Sequence, residues 1–260
     1  MKRVLINISY SGKRFVGWQR QTNGLSVQEM IETALEKASG TFIRVTGASR
    51  TDSGVNALCQ RAHFDTDSAI PPDRYPYVLN RYLPDDIRVT RGFSVAPCFH
   101  ARFDAKEKLY TYRWYPGPHA SALYSAISTH APVPMDIDLM NRSAALLCGE
   151  HDFRAFAASG FQAKTTVRTI TQAGVCRQRP FICLTIRGNG FLYNMVRIIA
   201  GTLVYIGQHK LDPACLSDAL RNGDRLLLGP TAPPEGLELT WVGYSPELNL
   251  FPLSPDENGV

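Results

Sequence analysis

The sequence predicts an α+β protein in two halves of similar element order. Two observations carry this. Strand-length alternating segments recur along the 260 residues, with a few helix-period segments between them. The element order of the first hundred residues also restarts near Arg102, with no repeat visible in the letters themselves. The length suits one large domain or two smaller ones sharing an interface.

Alternation marks residues 3–10 as the first strand, and Ser11–Gln21 as a basic, aromatic loop. Ser26 is placed to cap a helix and Glu29 to complete a capping box. The apolar series Val27, Met30, Ile31, Ala34, Leu35 and Ala38 has helical spacing, and Gly40 ends it. Thr41–Thr46 reads as a short strand and Gln60–Asp65 as another. Pro71-Pro72 is a breaker, Arg74–Tyr82 a helix and Ile87–Ala96 a strand. In the second half, Leu109–Tyr115 is an aromatic strand and Pro116–Pro134 a loop. Asp138–Gly149 reads as a helix, Thr166–Arg177 and Phe181–Gly188 as paired strands. Phe191–Ile206 and 212–222 read as helices, and 237–244 as a closing strand. The domains are expected at 1–104 and 105–245, with 246–260 a loose tail.

Charge is unevenly spread. Residues 1–200 carry 25 Lys/Arg against 15 Asp/Glu, while residues 201–260 carry 3 against 8. A basic excess rich in arginine suits a polyanionic partner, or simply a solvated surface. Cysteines 59, 98, 148, 176, 183 and 215 show no C-x-x-C pair, so reduced and mostly buried thiols are expected, not a disulfide framework or zinc site. No run is apolar enough for a bilayer, and the opening segment is no signal peptide, which points to the cytoplasm. No metal or nucleotide cofactor is implied.

Three places could carry chemistry. Residues Gly47–Ala57 set Asp52 among small residues, two positions after Arg50. Small residues let the backbone turn and another molecule approach, and arginine can hold a carboxylate ionised. The plainer reading is an Asx-turn or helix cap. Tyr110 and Tyr112 share one strand face, as core or as a stacking surface for an unpaired base. Arg197 lies in an otherwise apolar helix and needs a counter-charge, for which Asp52 is the candidate, unless the side chain emerges at the surface.

The stretches GASRTDSGVNAL around Asp52, HARFDAKEKLYTY at 100–112 and FLYNMVRIIAGTL at 191–203 resemble the tRNA pseudouridine synthase A family. Further matches are Gly17–Gln21, Leu83–Ile87 and Gly149–Phe153, so the resemblance spans residues 3 to about 245. It implies mainly antiparallel sheets forming one continuous sheet, with a catalytic cleft between two sandwich-like halves. It implies isomerisation of uridine to pseudouridine in the anticodon stem-loop of tRNA, around positions 38–40, without cofactor or metal, by a homodimer. Asp52 would be nucleophile or base, Tyr110 would stack on the uracil, and Arg197 would pair with Asp52. Arg50, with the basic Arg14 and Arg20, would contact RNA. The family's loop reads closer to RTDAGVHA, from which Ser53 and Asn56 depart. A non-catalytic RNA-binding protein is the rival on the same scaffold. A metal-dependent nuclease is disfavoured, since the loop has no acidic neighbour before Asp65 and Asp67.

Overall fold

A computed structural model describes residues 1–158, 160 and 164–245; the expected tail from 246 lies outside the described residues. The chain forms two compact units. One comprises Met1–Lys106 together with the segment from Leu239, the other Glu107–Glu238. The described elements are α and β mixed, ten strands and five helices, and the pairings set out below are antiparallel but for one short parallel contact.

In the first unit, strand β1 (Lys2–Tyr10) lies between β3 (Asn56–Thr66) and β4 (Ile87–Val95), with Ile6 opposite both Ala62 and Gly92. The short β2 (Thr46–Gly47) pairs with β3, and β10 (Leu237–Gly243) lies on β3's other side from β1. Val4, Leu5, Ile6 and Ile8 are all fully buried, so β1 is covered on both faces. Helix α1 (Val27–Ser39) buries Val27, Ile31, Ala34 and Leu35. Its cap follows the sequence: Ser26 Oγ accepts from the Glu29 N–H, and Gly40 closes the helix at φ 77°. Helix α2 is only Tyr75–Leu79.

Two expectations for this unit are corrected. Thr41–Thr46 is not a strand beyond its last residue, although Ile43 and Val45 are buried. Helix α1 side chains take the hydrogen bonds a neighbouring strand would have made. The Val45 N–H donates to Glu32 Oε1 (3.1 Å) and its carbonyl accepts from Gln28 Nε2 (3.1 Å). The helix expected over 74–82 stops at Leu79. Beyond it, the Asn80 amide bonds both the N–H and the carbonyl of Val89 (2.8 and 2.9 Å), anchoring the chain to β4 instead of continuing the turn.

The second unit has strand order β5 (Glu107–Tyr115), β9 (Phe181–Gly188), β8 (Val167–Gln178), β7 (Gly149–Asp152), and β6 (Thr129–His130) runs parallel to β5. Strands β6 and β7 were not legible: the one is two residues long, and GEHD has no apolar alternation. Helix α3 (Ile137–Ala145) ends four residues before the expected Gly149, which opens β7 at φ 109°. Helix α4 (Met195–Gly207) begins later than the apolar pattern suggests, because Asn194 is left-handed at φ 60°. Ten of its thirteen residues are buried, which makes it the core helix of this unit. Helix α5 (Ala214–Asn222) ends on Gly223 at φ 72°.

The cysteines depart from expectation. All are free thiols, but only Cys59 and Cys183 are buried, while Cys98, Cys148 and Cys176 are exposed. Cys148 follows α3 and Cys176 lies near the end of a hairpin strand, where side chains reach solvent. Among the described residues no helix is long and apolar enough to cross a membrane.

Candidate active site

The Asp52 loop joins β2 to β3, and its main chain is held from one side by residues 12–18. The Thr51 carbonyl accepts from the Trp18 N–H (3.1 Å), and the Gly54 N–H donates to the Phe15 carbonyl (3.3 Å). Across the loop, the Val55 N–H donates to the Asp52 carbonyl (3.1 Å), closing a turn with Gly54 at φ 78°. Asp52 is therefore a turn residue through its main chain. That turn fixes where its half-buried side chain starts.

Contact between the two segments is close enough to require glycine. A Cβ on Gly12 would stand 2.2 Å from the Val55 carbonyl oxygen. One on Gly17, itself at φ 112°, would stand 2.5 Å from that of Thr51. Side chains complete the clamp. Asn56 Oδ1 accepts from the Gly12 N–H (2.9 Å), Ser53 Oγ donates to the Phe15 carbonyl (3.3 Å), and the Tyr10 and Thr51 hydroxyls are 2.8 Å apart. At the loop's entry, Gln60 accepts from the Ser49 N–H (3.2 Å) and donates to the Ser49 carbonyl (2.7 Å). The two departures from the family's loop, Ser53 and Asn56, are thus both tied to the facing segment. Gly12 and Gly17 were seen in the sequence only as members of a basic loop; their nearness to Asp52 is long-range and leaves no local signal.

Arg50 is exposed at the loop's edge. Arg14 forms a two-pronged ion pair with Asp86 (2.6 and 3.0 Å), and Arg20 lies 3.5 Å from Glu29 and 3.4 Å from Glu32. Acidic neighbours so engaged orient both guanidiniums.

Tyr110 and Arg197 belong to the second unit. Tyr110 lies opposite Ile186 in the β5–β9 ladder, 6% exposed, with Phe191 edge-on at 5.0 Å. Tyr112, two residues on, is core: its hydroxyl meets Thr129 Oγ1 (2.6 Å) and the Pro233 carbonyl (2.9 Å), and burial raises its pKa well above 10. Arg197, on the first turn of α4, is held by its own unit. Its Nε donates to the Ala232 carbonyl (2.8 Å) and an Nη to Asn194 Oδ1 (2.8 Å). The left-handed Asn194 that delays the helix therefore also steers the guanidinium.

A family model described as tRNA pseudouridine synthase matches residues 6–104 and 143–245. The chain belongs to that family. It is similar to the tRNA pseudouridine synthase A of Ruminiclostridium cellulolyticum, 45% identical over 94% of this chain and all of that one. Those of Acetivibrio thermocellus and Brevibacillus brevis are 44% and 43% identical, each again over 94% of this chain and all of theirs. Membership of the tRNA pseudouridine synthase family makes the chain an isomerase acting on tRNA.

Proposed function

We propose that this chain converts uridine to pseudouridine in the anticodon stem-loop of tRNA, around positions 38–40, with Asp52 as the essential group. The reaction breaks the N1–C1′ bond, turns the uracil, joins C5 to C1′ and releases the C5 proton. Asp52 acts either by adding to the sugar or by taking a sugar proton. Arg197 serves as its counter-cation, Tyr110 stacks on the turned base, and Arg50, Arg14 and Arg20 contact RNA. The target base leaves its stack to react. No cofactor or metal enters this scheme, and the protein works in the cytoplasm as a homodimer.

One observation supports the reading most. The Asp52 main chain is held between glycine-only contacts and hydrogen bonds, an investment a solvated turn does not need.

The test is tritium release from tRNA carrying C5-labelled uridine. Wild type is expected to release it without added metal, and Asp52→Ala to lose at least ~10³-fold in rate with tRNA binding retained. Full activity of the alanine variant removes Asp52 from the mechanism. Binding without turnover by wild type favours the RNA-binding reading.

A further inference from the structure

Helix α2 and the outer side of β4 enclose an open groove of about 740 Å³ within the first unit. The groove plays no part in the reaction proposed above. Its floor is apolar, with Val89, Gly92 and Phe93 from β4 and Pro76 from α2. Its rim carries Tyr77, Arg81 and Arg91.

The groove is preformed. Asn80 bonds both main-chain groups of Val89, and Gly92 lies so close to Pro72 that a Cβ there would stand 2.0 Å from its carbonyl oxygen. Strand β4 and the α2 segment are thus fixed side by side. Tyr77 is 70% exposed, and Arg74 lies over it at 5.7 Å. The groove's single carboxylate, Asp73, faces Arg74 at 3.7 Å. Arg81 makes no ion pair among the described residues. Arg81 therefore leaves a cationic guanidinium on the rim beside an exposed aromatic ring.

We propose that this groove is a second RNA-binding site, holding unpaired nucleotides of the same tRNA away from the uridine being isomerised. The proposal rests on the tRNA reading above. Arginines beside an exposed ring over an apolar floor suit phosphates and a stacked base together. Tyrosine and arginine also occur at protein–protein contacts, so the choice of RNA rests on the charge of the tRNA substrate and is tested against a second copy of the chain below. A folded tRNA offers unpaired loops well beyond its anticodon arm, and a preformed groove binds one without an ordering penalty on the protein side.

The experiment compares Tyr77→Ala, Arg81→Ala and the double variant on two substrates, full-length tRNA and an isolated anticodon stem-loop hairpin. On tRNA, KM is expected to rise about 5–20-fold in the double variant, with kcat unchanged. Arg81→Ala should lower the slope of log KM against log salt by about one. On the hairpin both constants should match wild type. The thermal midpoint should not move, because both side chains are exposed. An unchanged KM on tRNA, or an equal loss on both substrates, overturns the proposal. So does a shift of Arg81→Glu toward a smaller species in sedimentation, which assigns the groove to a second copy of the chain. Should wild type prove inactive on tRNA, the proposed function fails by itself. Filter-binding affinities of the same variants for tRNA then decide the groove independently.

Discussion

Asn56 shows how one atom can matter to a site without belonging to it. Its Oδ1 accepts the Gly12 N–H at 2.9 Å in a buried place, and so anchors the segment that carries the Asp52 turn. Asn56→Ala leaves that N–H buried without its partner, at a cost of about 1–3 kcal/mol. The expected outcome is a lower midpoint in chemical denaturation, together with a fall in kcat that exceeds any change in KM. Asn56→Asp keeps the acceptor and should recover most of the turnover. A variant that loses stability but turns over at the wild-type rate would show that the tie holds the fold and not the carboxylate. The Asp52 loop was legible in the sequence as a turn among small residues. The reason for the small residues was not. The expectation for the loop's small residues was room for a substrate; at Gly47 the immediate neighbour is the Trp18 ring, 2.4 Å from a Cβ placed there, and Gly54 turns at φ 78°.

At the scale of elements, β3 supplies a second tie. His63 on that strand is buried, and its Nδ1 accepts the Ala101 N–H at 3.1 Å. This requires a neutral ring, with its proton on Nε2. Burial above all, aided by the Arg3 and His100 charges, pushes the His63 pKa down to about 4. In the unfolded chain the ring titrates near 6.5. The depressed value means that the native state resists the proton which the unfolded state takes up. The contribution is whole above pH 6.5 and lost as pH falls toward 4, amounting to an order of 3 kcal/mol. Urea midpoints measured between pH 7 and 4.5 should fall accordingly in wild type. In His63→Gln, which keeps an acceptor but cannot titrate, the fall should be shallower. Elements with a strong period, such as β1, α1 and β5, were readable because their burial is one-sided or continuous over many residues. The stretch 41–46 misled because apolar spacing reports burial alone. It does not say whether a strand or the side chains of α1 will satisfy the backbone.

For the whole molecule, the uneven charge has a measurable reach. The excess of basic residues falls in 1–200, and the acidic excess in 201–260. Binding of a polyanion to such a surface releases counterions. KM for tRNA should therefore rise steeply between about 50 and 200 mM salt while kcat stays nearly flat. A flat KM would mean that tRNA is held by contacts other than phosphate. The α+β class was legible from local patterns. The return of the last strand to the first unit was not, because pairing between residues some two hundred positions apart has no local trace.

That return sets an order of events. The first unit is made from both ends of the chain: Lys106 donates to the Gly243 carbonyl at 2.9 Å, and the Tyr244 hydroxyl donates to the Ala101 carbonyl at 2.6 Å. A ribosome finishes residues 1–106 early, yet these partners emerge only near the end of translation. The unit bearing Asp52 must wait, incomplete, while the whole of Glu107–Glu238 is synthesised and can fold. A nascent chain cut short before Leu239 would thus carry the Asp52 loop without the strand that finishes its unit.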